Sequence, residues 1–92
     1  TIKAANMSSV GRLEGVVNDA NDTPIEGAEV AVYAADTLNT TTFTSENGAY
    51  AVLGLMPGEY RVTYSYDNLN PVTEDQVEIV VANKTTVDVT LE

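Results

Sequence analysis

The sequence predicts an all-β chain folded as a seven-stranded antiparallel β-sandwich. Three observations lead there. Apolar residues alternate with polar ones over short runs, as in Tyr60-x-Val62-x-Tyr64, Val77-x-Ile79-x-Val81 and Val87-x-Val89-x-Leu91, the period of a half-buried strand. Turn-forming residues recur at short intervals between those runs. No stretch carries a helical period, and many short strands without helices give a sandwich.

The elements follow in order. Residues 1–9 are small or polar and without period, and read as a linker or tail preceding a domain over residues 10–92. The first strand is Val10 to Val17, with Leu13, Gly15 and Val17 on one face; a glycine in mid-strand predicts a bulge or the close approach of another backbone. Asn18 to Thr23 is a loop whose Asn and Asp side chains bond their own backbone. Pro24 cannot donate to a ladder, so Pro24-Ile25-Glu26-Gly27-Ala28 lies at an edge or crosses between sheets, with Ile25 plugging the core and Gly27 turning the chain.

Glu29 to Ala34 is the second strand, Val30 and Val32 inward, Ala31 and Tyr33 outward. Ala35 to Asn39 is a loop and Thr40 to Thr44 the third strand. Glu46-Asn47-Gly48 reverses the chain into a fourth strand, Ala49 to Leu53, and Met56-Pro57-Gly58 reverses it again. There Pro57 pre-sets the first corner and Gly58 takes positive φ. Glu59 to Tyr66 is the fifth strand, Val72 to Val81 the sixth and Thr85 to Leu91 the seventh, after a turn at Ala82-Asn83-Lys84. Tyr50, Val52, Leu55, Tyr60, Val62, Val30, Val32, Val87 and Val89 are the expected core. Seven alternating strands begin at one pole and end at the other, which sets Val10 and Leu91 about 20–25 Å apart at ~3.3 Å per residue.

Composition narrows the function. Ninety-two residues make one domain, and no apolar run approaches the ~18 residues of a membrane span. Thr1-Ile2-Lys3-Ala4-Ala5 is no signal peptide, and the missing initiator Met suggests a fragment or processed chain. With no Cys and no His, disulfides, thiolate nucleophiles, imidazole bases and the usual zinc ligands are excluded. Fourteen acids against four bases (Lys3, Arg12, Arg61, Lys84) give a net charge of −10, which repels nucleic acid and anionic lipid. Such acidity otherwise keeps a surface protein soluble.

Four arrangements could carry chemistry. Fourteen carboxylates form close pairs by chance, without the cleft a glycosidase needs. Asp19-x-Asn21-x-Thr23 opens as an EF-hand loop does, yet Pro24 takes the Gly position and Val30 the final Glu position, so the segment reads as a turn. Tyr33, Tyr64 and Tyr66, with Phe43, form either a platform for a sugar or core filling. Four Asn-x-Ser/Thr sequons, at Asn6, Asn21, Asn39 and Asn83, fall in expected tails or loops.

Gly15-x-Val17-x-Asp19, Pro24-Ile25-x-Gly27-Ala28-x-Val30, Thr44-Ser45-x-x-Gly48-x-Tyr50-x-Val52 and Leu55-x-Pro57-Gly58-x-Tyr60-x-Val62 together resemble the carboxypeptidase regulatory-like domain family. The resemblance covers about residues 11–91. It implies a transthyretin-like (prealbumin-like) seven-stranded sandwich and a non-catalytic module without cofactor. Such modules stand beside metallocarboxypeptidase domains, at the start of outer-membrane transporters, and as repeats in bacterial and archaeal surface or secreted proteins. Gly15, Pro24, Gly27, Ala28, Gly48, Tyr50, Leu55, Pro57, Gly58 and Tyr60 are then structural motif residues.

More distantly, the chain is similar to collagen-adhesin B-type repeats. Some of those link a first-strand Lys to a last-strand Asn or Asp. Here the first strand has no Lys, Lys3 lies in the tail and Lys84 in the last turn, so Asp88 lacks a reaction partner and no isopeptide bond is expected.

Two functions stay open: a spacer or accessory domain of a larger secreted or cell-surface protein, monomeric and in contact with its neighbouring domains, or a binding module for carbohydrate or for a protein strand added at an exposed edge. An extracellular or cell-surface location, or a periplasm-facing one, is the expectation in either case.

Overall fold

The computed structural model describes residues 10–92. The expected tail, with Lys3 and the Asn6 sequon, lies outside the described residues. Among the described residues eight strands form: β1 (Gly11–Asp19), β2 (Glu29–Ala34), β3 (Thr37–Phe43), β4 (Ala49–Leu55), β5 (Gly58–Ser65), β6 (Val72–Ile79), β7 (Lys84–Thr86) and β8 (Val89–Leu91). One sheet has the order β4-β1-β7, with β8 also beside β1; the other runs β3-β2-β5-β6.

The inward residues of both sheets interdigitate into one core. Leu13, Val17, Tyr50, Val52, Leu55, Val89 and Leu91 face Val30, Val32, Tyr60, Val62, Tyr64, Val77 and Ile79, with Ile25 and Ala28 filling one end. Eight of the nine expected core residues are buried; Val87 only packs against the cluster, partly exposed.

The expected last strand is two. Thr85 to Leu91 alternates without interruption in sequence, but the ladder breaks at Val87-Asp88 and separates β7 from β8. The sandwich is not antiparallel throughout either. β1 pairs antiparallel with β4 but parallel with β7 (Arg12↔Lys84) and β8 (Asp19↔Leu91). Taking β7 and β8 as one passage, the chain makes seven crossings, so the first and last run the same way, and as neighbours they must pair in parallel. The register therefore puts Gly11 at a lower pole and Leu91, beside Asp19, at the upper one. Eight residue steps of β1 separate the two, about 26 Å at ~3.3 Å each.

The predicted loop Ala35 to Asn39 shrinks to Ala35-Asp36, with φ 55° at Ala35. Thr37, Leu38 and Asn39 join β3, so the Asn39 sequon lies in a strand rather than a loop. β4 extends past Leu53 through a bulge at Leu53-Gly54 opposite β1. Lys84, expected in a turn, opens β7.

Candidate functional site

The motif residues gather into three groups. The first surrounds Gly15, where a Cβ would stand 1.9 Å from the Val87 carbonyl oxygen. The missing side chain admits that backbone, as the sequence predicted for a mid-strand glycine. The Tyr50 hydroxyl donates to the Val87 oxygen at 2.7 Å and lies 2.8 Å from the Tyr64 hydroxyl. Tyr50 has one proton, spent on Val87, so Tyr64 is the donor to Tyr50. The rings meet edge to face, centroids 5.6 Å apart. Around the break, Val87 N–H donates to the Glu14 carbonyl at 2.9 Å, and Val16 N–H donates to Asp88 Oδ1 at 3.0 Å. The Asp88 carboxylate thus takes over as acceptor where the β7–β8 backbone turns aside. Burial raises the Tyr64 phenol to about 12 and Tyr50 further still. Both stay protonated at ordinary pH and act as hydrogen-bond donors.

The second group holds the crossing segment. Thr44 Oγ1, buried, accepts from Ala28 N–H at 2.9 Å and donates to the Ile25 carbonyl. Gly27 N–H donates to the Thr44 carbonyl and Ile25 N–H to that of Val17, both at 3.0 Å. A Cβ at Gly48 would stand 2.6 Å from the Val17 oxygen and 3.1 Å from Pro24 Cβ, so Pro24 and Gly48 pack as a unit. The third group closes the β4–β5 turn: Tyr60 donates from its hydroxyl to the Met56 carbonyl at 2.6 Å, Leu55 is buried beside it, and Gly58 after Pro57 has φ 147°. Positive φ at Gly58 is as the turn predicted.

The sugar platform does not assemble. Tyr64 is fully buried in the tyrosine pair, and Tyr66, beyond the end of β5, is 40% exposed. Two residues on one strand face part company where the strand leaves the core. Tyr33 faces outward under the Arg61 guanidinium, 5.0 Å from the ring centre, and Arg61 pairs with Asp36 at 3.3 Å. Phe43 stands apart from these, 59% exposed.

In the Asn18 to Thr23 loop, Asp19 Oδ1 accepts from the N–H groups of Asn21 and Thr23 at 2.8 and 3.0 Å. That oxygen serves the turn. Among the described residues no three acids converge as metal ligands would. Lys84 Nζ lies 3.3 Å from Glu14 Oε2 and Arg12 Nε 3.4 Å from Glu14 Oε1, an exposed cluster of the kind that contributes little.

An open groove of about 530 Å³ lies on the outer face of the β4-β1-β7 sheet. Its floor is Gly15, Val16, Ala49 and Ala51, its wall Phe43, and Glu14, Lys84, Thr86 and Asp88 line the far side. Sequence reasoning did not single it out. The available signal was the absence of charge over residues 37–43 and 49–55 in a chain that is 20% charged.

The model of the carboxypeptidase regulatory-like domain family matches residues 12–92. No curated protein matches the chain. Among solved structures, the TIE protein of Bacillus anthracis is similar with a TM-score of 0.77 and 18% identity over 91% of this chain and 16% of its own. The major pilin subunit of Bacillus cereus, BcpA, gives 0.68 and 14% over 91% and 30%. The 5-hydroxyisourate hydrolase of Klebsiella pneumoniae gives 0.69 and 16% over 87% and 88%. The chain thus spans less than a third of the first two proteins, and at these identities the likeness is one of fold, the transthyretin-like sandwich.

Proposed function

Since the chain belongs to the carboxypeptidase regulatory-like domain family, we propose that it serves as a non-catalytic spacer or accessory domain in a larger secreted or cell-surface protein. The observation that carries this reading is the placement of Gly11 and Leu91 at opposite poles, fixed by the parallel pairing of β1 with β7 and β8. Segments joined at those poles extend away from one another, which suits a chain that holds its neighbours apart. Residues 10–92 are the proposed unit, monomeric and partnered by adjacent domains of the same polypeptide.

The hydrogen bonding of the motif residues agrees with a structural role: the Tyr50 and Tyr60 hydroxyls donate to backbone carbonyls, and Ala28 N–H donates to Thr44 Oγ1. The hydrolase with a similar fold does not argue for catalysis here, because fold alone carries no active site. Similarity to a pilin subunit and to other large bacterial proteins supports a surface location.

Two fused copies test the spacer. Small-angle scattering should show an elongated particle close to twice the length of one copy. A particle no longer than one copy, or micromolar binding of a defined glycan by the single domain, would count against the reading.

A further inference from the structure

Sheet edges are where a β-sandwich can be extended by another chain, and natural edges carry charges, bulges or proline to prevent it. Here the free edges are β3, β4, β6 and the β7–β8 passage. β6 is guarded by Glu74, Asp75 and Glu78 and a bulge near Gln76, which has φ 58°. The β7–β8 edge is broken at Val87, and β3 is interrupted by a bulge at Asn39. β4, like β3, has no charged residue, and its pairing is regular from Ala49 to Val52 before the bulge at Leu53-Gly54; what sets β4 apart is the groove along its outer face.

The direction of the free backbone groups follows from one bond. Val17 N–H donates to the Gly48 carbonyl at 2.8 Å, so Gly48, Tyr50 and Val52 turn their groups toward β1. Ala51 therefore turns its N–H and C=O outward. On the outer face beside it runs the groove floored by Ala49 and Ala51, with Phe43 as its wall. The register row through Ala51 continues to Glu14 and Thr86, so a side chain opposite Ala51 meets its methyl group first, with Glu14 beyond it. Glu46, in the turn leading into β4, is exposed and in no ion pair among the described residues.

We propose that the free edge of β4 receives an extended peptide strand from a partner protein, with β-branched residues at alternate positions and a basic residue at the end beside Glu46. Main-chain bonds to Ala51 hold the strand, its outward apolar side chains pack on Ala49, Ala51 and Phe43, and the net charge of −10 selects against acidic strands. The same charge, on each of two copies, disfavours a second copy of this chain as the occupant. This goes beyond the spacer reading and does not depend on it.

The test is an NMR titration of the isotope-labelled domain with the capped synthetic peptide Lys-Val-Thr-Val-Thr-Lys, and with the same peptide bearing Glu at both ends. Saturable amide shifts confined to β4, its turn and Phe43 are expected with the lysine peptide, and binding about fivefold or more weaker with the glutamate peptide. Ala51→Pro removes an outward N–H without touching the pairing to β1 and should weaken binding about tenfold. Should that variant fail to fold, Phe43→Ala, which loses an exposed ring, should weaken binding several-fold and decides the matter. The proposal is overturned by no saturation at millimolar lysine peptide, by shifts on β3, β6 or β8 instead, by variants that bind as wild type, or by sedimentation showing a second copy on the edge.

Discussion

Two glycines of this domain are needed for different reasons, and alanine separates them. At Gly15 a Cβ would strike the Val87 carbonyl oxygen, whereas at Gly58 it would meet nothing within 4 Å and only φ 147° opposes it. Gly15→Ala should cost about 3 kcal/mol or more, by overpacking and by displacing the acceptor of Tyr50. Gly58→Ala should cost about 1 kcal/mol. Urea denaturation of both variants checks the order, and equal losses would refute it. The tyrosines give a prediction in pH. Burial raises the folded Tyr64 value to about 12 from 10.0 and Tyr50 beyond it. Above pH 10 the unfolded chain therefore releases phenolic protons that the folded one keeps. Stability from the pair is intact below pH 10 and should fall between pH 10 and 12 by roughly 1 kcal/mol per pH unit for each phenol. Tyr64→Phe should flatten that decline in denaturant titrations at pH 9.5 and 11.5.

At the level of strands, legibility followed locality. β2 occupies the span its alternation predicts, and the Pro57-Gly58 reversal is where its turn chemistry places it, because both depend on neighbours in sequence. A loop was legible between β2 and β3, but its tightness was not, because Ala35-Asp36 lacks the Asn or Gly that marks positive φ. The break between β7 and β8 escaped for a deeper reason. Val87 is turned aside by Gly15 and Tyr50, more than 30 residues away, while its own neighbours alternate as one strand. Tyr64 read more readily as core than as platform, and its partner Tyr50 settles it as core. The uncharged β4 edge was present in the sequence as a run without charge, but its exposure depends on sheet order, which alternation does not encode. Sheet order also exposes a liability. Glu59 and Glu78 sit directly opposite on β5 and β6, both exposed. Like charges in that position repel, so Glu78→Lys should raise stability by about 0.5 kcal/mol at low salt, and the gain should shrink in 0.5 M NaCl as screening removes it. Thermal unfolding of the variant at two salt concentrations checks both parts.

Across the whole molecule, the first and last passages lie side by side and run the same way, from Arg12↔Lys84 to Asp19↔Leu91. Tension applied between neighbouring segments would pull β1 downward and β8 upward along their common axis. The hydrogen bonds between them then bear load in shear, all together, instead of opening one at a time like a zipper. Asp88, whose carboxylate bridges to Val16 where the ladder breaks, keeps that row of bonds continuous. In single-molecule pulling through the two ends, the domain should therefore resist more strongly than when pulled across β6, and Asp88→Ala should lower the rupture force while costing about 1 kcal/mol at equilibrium. A rupture force unchanged by pulling direction would refute the shear geometry. A domain joined this way to its neighbours behaves less as a bead on a string than as a link in a chain.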